Sequence, residues 1–138
     1  MLKRIHQVAM ALFIEECKQF GITPSQYQAL AGVRAYPGIT QTALGRLIGQ
    51  DRSTIALVVK SLLDRKLVRM TASSSDRRSL NLTLETSGRQ VLRQVAPAAR
   101  RAQDRLLAPL PKEHHAAFLA LLTTLLDGHG VLLDPLAT

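Results

Sequence analysis

Between residues 2 and 19 the apolar positions fall at Leu2, Ile5, Val8, Ala9, Leu12 and Phe13. Steps of three and four residues put them on one face of a helix. Gly21 ends that segment, and Thr23-Pro24-Ser25-Gln26 opens another. Thr23 suits the cap, Pro24 the first helical position, and Gln26 completes a capping box. Tyr27, Leu30, Ala31 and Val33 form the second helix's inner face, and Tyr36-Pro37-Gly38 stops it. Ile39 then stands alone, long enough for one sheet-edge pairing and little more.

The middle of the chain changes character. Thr40 caps a third helix to about Ile48, with Ala43, Leu44, Leu47 and Ile48 inward. After Gly49-Gln50, Asp51 caps a fourth helix to roughly Arg65, whose inner face is Ile55, Val58, Val59, Leu62 and Leu63. Its first turn, Arg52-Ser53-Thr54, is wholly polar. Leu67–Thr71 and Leu80–Leu84 read as strands, and the second alternates Leu80, Leu82 and Leu84 with Asn81 and Thr83. The ribbon's tip is Ser73-Ser74-Ser75-Asp76-Arg77-Arg78. A fifth helix runs from near Thr86 towards Leu107 and contains Pro97, which costs a backbone hydrogen bond and should bend it. Pro111 opens a sixth, with Ala117, Phe118, Leu121, Leu122 and Leu125, and the glycine-containing tail from Asp127 should be loosely ordered, with 128–138 as a flexible end.

The expected fold class is therefore mainly α with a small β-ribbon: a winged helix-turn-helix over 23–84, flanked by helices at 1–20 and 86–127, in one domain of 138 residues. The first, fifth and sixth helices carry apolar faces that so small a centre cannot cover. A second copy of the chain is the simplest cover, so those flanking segments are expected to be dimerisation helices.

Charge narrows the partner. Eighteen Lys and Arg against ten Asp and Glu leave +8, which suits nucleic acid or an anionic membrane surface. With two Tyr, three Phe and no Trp, the stacking platforms of single-strand and RNA binders are missing, so duplex DNA is favoured. The polar start of the fourth helix suits a major groove: Arg52 can meet phosphate or guanine, and Ser53 and Thr54 phosphates or bases. Gln41 and Thr42 open the third helix, whose positive end can sit on a phosphate. Ser74 and Ser75 keep the wing slim, and Arg77 and Arg78 suit a minor groove. Asp76 is a poor DNA contact and reads as a wing-shaping partner of Arg78.

Taken in order, these residues resemble the MarR family of bacterial transcription regulators. The resemblance rests on Leu44-Gly45-Arg46-Leu47-Ile48 with Asp51-Arg52-Ser53-Thr54, on Lys66-Leu67-Val68-Arg69, and on Asp76-Arg77-Arg78 with Leu82, Leu84 and Gly88. Glu85 stands where the family usually has Thr, which predicts that the fifth helix is capped by Thr86 instead. The resemblance implies a homodimer on a pseudo-palindromic operator, usually a repressor, released by a small anionic or phenolic effector between the dimer helices and the winged domain. The N-terminal segment is similar to the subgroup that responds to aromatic acids or their coenzyme A esters. His6, Tyr27, Arg34 and Arg46 are the candidate effector ligands, with the alternative that each is an ordinary structural or solvated residue.

Other chemistry finds fewer parts. Some MarR-like proteins sense peroxides through an N-terminal-helix cysteine, but Cys17 is the only cysteine, so no second thiol can resolve it. A lone cysteine fits a reducing, cytoplasmic compartment. His6, His114, His115 and His129 show no i, i+4 pair, so no metal is expected. There is no phosphate loop, nucleophile elbow or zinc-hydrolase signature, so no enzyme and no cofactor beyond the effector are expected. Arg100, Arg101 and Arg105 read as a solvated face or as helpers to phosphate contact. Apolar runs such as Phe118–Leu122 are too short to span a bilayer, and no signal peptide is visible. The alternatives left are a redox-sensing repressor, a non-specific architectural DNA-binding protein and a protein-interaction module.

Overall fold

The computed structural model describes residues 1–72 and 80–131. Its elements are α1 (Leu2–Cys17), a 3-10 turn (Lys18–Phe20), α2 (Pro24–Ala35), β1 (Ile39–Thr40), α3 (Gln41–Ile48), α4 (Arg52–Asp64), β2 (Val68–Ala72), β3 (Leu80–Leu84), α5 (Thr86–Leu107), a second 3-10 turn (Lys112–His114) and α6 (His115–Gly128). The three strands lie antiparallel in the order β1-β3-β2, with Ile39 opposite Leu82 and Val68 opposite Leu84. The tip of the ribbon, with Ser74, Ser75, Asp76, Arg77 and Arg78, lies outside the described residues, as does the tail from 132 to 138.

Local chemistry explains most boundaries. The capping box at α2 is complete: the Gln26 N–H donates to Thr23 Oγ1 at 3.1 Å, and the Thr23 N–H donates to Gln26 Oε1 at 3.1 Å. Thr40 accepts from the Ala43 N–H at 3.2 Å and Asp51 from the Thr54 N–H at 2.7 Å, so both helices of the central pair are capped by their own sequence. Gly49, at φ 71, takes the left-handed conformation that closes α3 and turns the chain into α4.

Three expectations are corrected. Thr86 does not cap α5; Glu85 holds the cap position and makes no side-chain cap bond. The reason lies in the sheet junction. The Glu85 N–H donates to the Leu67 carbonyl at 3.0 Å, its carboxylate reaches Arg69 at 3.7 Å, and the Ser87 hydroxyl donates to the Lys66 carbonyl at 2.6 Å. These ties hold Glu85 between the end of β3 at Leu84 and the start of α5 at Thr86, so the helix begins one residue earlier than a Thr86 cap would allow. At the sixth helix, Pro111 opens a 3-10 turn and the α-helix proper begins at His115, whose Nε2 lies 3.0 Å from the Leu110 carbonyl. Finally, Arg101 and Arg105 are not a free solvated face. Arg101 Nε lies 3.1 Å from Glu16 Oε2, and Arg105 reaches Glu16 Oε1 at 3.1 Å and Glu15 Oε2 at 3.3 Å. They tie α5 to α1.

The core sits where α2, α3, α4, β3 and α5 meet, and Leu30, Leu44, Leu62, Leu82 and Leu92 are fully buried there. Two glycines let backbones close on one another. A Cβ on Gly45 would press on the Gln50 carbonyl and the Ile55 side chain, both at 3.2 Å, at the corner of α3 and α4. A Cβ on Gly88 would run into the Leu67 carbonyl, where α5 crosses the start of β2. Outside this core the apolar faces open to solvent: Leu2, Ile5 and Val8 of α1 are exposed, and α6 buries none of its residues. Among the described residues, no helix is long and apolar enough to cross a membrane.

Candidate nucleic-acid interface

The corner between α3 and α4 presents two helix N-termini on one side of the molecule. Gln41, Thr42, Gly45, Arg46, Gln50, Arg52 and Ile55 line an open concavity of about 460 Å³ there. Thr42, Arg46 and Arg52 are exposed, and Gln41 and Gln50 are half-buried. The positive ends of two helices, with two guanidinium groups beside them, make a surface that attracts phosphate.

Asp51 is the acid of this corner, and its charge is already used. It accepts from the Thr54 N–H at 2.7 Å and from the Ser53 hydroxyl at 3.0 Å. These bonds, that to Thr54 first, hold its carboxyl below the usual carboxylate range. The Ser53 hydroxyl therefore spends its proton on Asp51 and turns acceptor lone pairs outward, which suits a base donor better than a phosphate. Thr54 is half-buried and Arg52 exposed, so the first turn of α4 offers its side chains unequally.

Polar ties underneath hold the corner in place. Gln26 Nε2 donates to Ser61 Oγ at 2.8 Å, and Gln50 Nε2 donates to Ser25 Oγ at 3.0 Å. The N-terminus of α2 thus fastens both α4 and the turn that precedes it. Sequence reasoning did not single out Gln50 or Ser25; their bond joins residues 25 apart, beyond the range of local patterns.

The expected effector residues do not gather. Arg46 stands with Thr42 and Arg52 in the concavity, and the spacing of four residues from Thr42 was the sequence signal for that shared face. Tyr27 is buried, its ring 5.4 Å from that of Phe13, where α1 passes α2. His6 lies on the exposed half of α1, and Arg34 is exposed near the end of α2. A second open concavity, of about 650 Å³, is lined by Leu63, Lys66, Val68, Arg69, Met70, Glu85, Thr86 and Ser87. Neither concavity is lined by His6, Tyr27 or Arg34.

Comparison with known proteins decides the family. The MarR family model matches residues 20–79, which span the core of this corner. A probable transcriptional regulator from Pseudomonas aeruginosa is 34% identical over 90% of this chain and 92% of its own, with a TM-score of 0.81. The chain belongs to the MarR family. This MarR-family chain is also similar to the PcaV regulator of Streptomyces coelicolor, solved with its natural ligand, at 31% identity over 91% of this chain and 89% of that one, TM-score 0.76. The transcriptional repressor CouR, solved on a 23-mer DNA duplex, is 32% identical over 90% of this chain and 88% of its own, TM-score 0.81. No curated protein matches the chain. As a member of this family the chain is a transcription regulator.

Cys17 is fully buried in the α1–α5 seam. Burial pushes its thiol pKa up, the neighbouring Glu16 carboxylate adds to the rise, and Arg101 opposes it. A raised pKa and no exposure are the reverse of what a reactive thiol needs.

Proposed function

We propose that the chain is a homodimeric repressor that binds a pseudo-palindromic duplex and leaves it when a small aromatic or phenolic acid, or its coenzyme A thioester, is bound. The observation that carries this reading is the α3–α4 corner, where two helix N-termini share one open surface with Arg46 and Arg52 and where Asp51 is occupied as a cap. In this reading Arg52, Ser53 and Thr54 face the major groove, and Gln41 and Thr42 hold a phosphate. Ser74, Ser75, Arg77 and Arg78 carry the wing into the minor groove, with Asp76 setting its shape. Arg46 joins the phosphate contacts.

Dimerisation is supported by the open apolar stripes at both ends of the chain, Leu2, Ile5 and Val8 on α1 and Leu121, Leu122 and Leu125 on α6. Segments 1–20 and 86–127 form the dimer body and 23–84 the reading head. The regulator works in the cytoplasm by binding and not by catalysis. CouR on DNA and PcaV with its ligand support the two halves of the mechanism by likeness. Of the effector candidates, Tyr27 is the best supported. Its ring joins α1 to α2, and α2 fastens the recognition helix through Gln26 and Ser61. His6 and Arg34 complete the set only if the partner chain or the effector brings them in.

The test is a titration against duplexes selected from a random library, with scrambled controls at fixed salt. A sequence preference of at least ~10³-fold is expected, and little preference would indicate an architectural protein. Failure to retard any duplex at low salt would leave only an interaction module. Arg77→Ala should lower the salt slope by about one. Aromatic acids and their coenzyme A esters that raise the melting temperature are then tested for DNA release, because a ligand can stabilise the chain without favouring its DNA-free state; an effector that releases DNA must itself bind the DNA complex less tightly.

A further inference from the structure

We propose that Leu57 reads the 5-methyl group of a thymine in the major groove, so that each half-site contains a T·A pair recognised by apolar contact. This rests on the DNA reading above and adds to it a base identity.

The inner face of α4 is Ile55, Val59 and Leu62, all buried. Ser53, Leu57, Lys60 and Asp64 follow one another at steps of four, three and four residues, and so form a single stripe on the opposite side. Leu57 is in the middle of that stripe and is 70% exposed. It is the one large apolar side chain that α2, α3 and α4 leave in solvent. A single exposed leucine needs no explanation elsewhere on a protein. Here it lies one turn beyond Ser53, on the helix whose start faces the concavity, between the exposed cations Arg52 and Lys60. The Lys60–Asp64 pair, at 3.6 Å and well exposed, leaves Lys60 free to exchange its carboxylate for a phosphate.

Chemistry selects the partner. The four residues from Ser53 to Leu57 advance about 6 Å along the helix axis, close to two base steps of about 3.4 Å. Leu57 thus meets the base pairs next to those under Ser53. A leucine side chain neither donates nor accepts hydrogen bonds. Against guanine O6 and N7, cytosine N4 or adenine N6 it would displace water and return nothing. The thymine methyl is the only apolar group on the floor of the major groove. Ala56 beside it is small and exposed, so the methyl can seat without a clash.

The experiment uses the full chain and duplexes it selects from a random library. Each thymine in the preferred site is replaced singly by uracil, which deletes the methyl and preserves every hydrogen bond. The expected result is one position per half-site where uracil weakens binding by roughly fourfold, the value of one methyl removed from water. Leu57→Ala should bind the thymine and uracil duplexes equally, whereas Leu57→Met, still apolar, should keep the difference. Both variants should melt close to the native chain, because the residue is 70% exposed. Uracil without effect at every position, or a full methyl effect retained in Leu57→Ala, overturns the proposal while leaving sequence-specific binding intact. A library that yields no preferred sequence overturns the DNA reading itself.

Discussion

In α4 the apolar side chains Ile55, Val59 and Leu62 are buried, whereas in α6 Leu121, Leu122, Leu125 and Leu126 all lie in solvent. Both helices are amphipathic or better, and sequence pattern alone would bury a face of each. The difference is in what surrounds them. α4 is enclosed by α2, α3 and β2, while α6 packs chiefly on its own leading turn. Burial is a property of neighbours, and the chain provides them for its centre but not for its ends. The centre therefore holds its shape by itself and can present a fixed polar surface. The ends are left with apolar area to bury, and a second chain with the same open faces can bury it symmetrically.

The largest expected effect breaks the open side of this comparison. Leu121→Glu with Leu125→Glu should remove about 4 kcal/mol of apolar burial from the pairing of chains. Sedimentation should then find a monomer of 15.1 kDa where the native chain gives twice that mass. A double variant that stays dimeric would mean that α6 is not the pairing surface. On the closed side, Leu62→Ala should cost about 3 kcal/mol in urea denaturation, because the fully buried Leu62 leaves a cavity. The same change at Leu121, which is 65% exposed, should be nearly silent within one chain and felt only in association. Equal costs at the two positions would erase the distinction. Gly88→Ala should cost about 2 kcal/mol, since its Cβ has no room beside the Leu67 carbonyl.

The smallest effect probes the seam between the two regions. Glu16 is held below the usual carboxylate range, first by its hydrogen bond from Arg101 and then, against the cost of burial, by Arg105. A lowered folded pKa contributes stability above the unfolded value, and that contribution is lost as the pH falls through the folded one. Glu16→Gln should therefore melt slightly below the native chain at neutral pH. The gap should narrow as the pH falls below the ordinary carboxylate range and close only once it has passed the lowered folded value, where both carry a neutral side chain. A gap that persists in acid would assign the loss to packing and not to charge.

How far sequence carried this account follows the range of each interaction. The caps at Thr23, Thr40 and Asp51 bind partners three residues on, and all three stand where local chemistry puts them. The alternation of β3 placed Leu82 and Leu84 in the core. Interactions that depend on distant chain were not legible. Glu16 and Arg101 are 85 residues apart, so the arginines of α5 looked free. Glu85 holds the cap position expected of Thr86 because Arg69 and the Leu67 carbonyl engage it across the sheet junction. In the site, Arg52, Gln41 and Thr42 were legible from helix-start chemistry. The placement of Arg46 needed its face to be compared with that of Thr42, and Leu57 needed the core to be known before its exposure meant anything.

The central claim is that the open ends hold two closed reading heads at one fixed separation. The most direct test is to insert about half a helical turn, five base pairs, between the half-sites of a selected duplex. The account predicts that affinity falls towards the non-specific level, on the order of 10³-fold, because the second head then faces the wrong side of the duplex. Unchanged affinity would contradict it, and would mean that the two heads bind independently of the helices that join them.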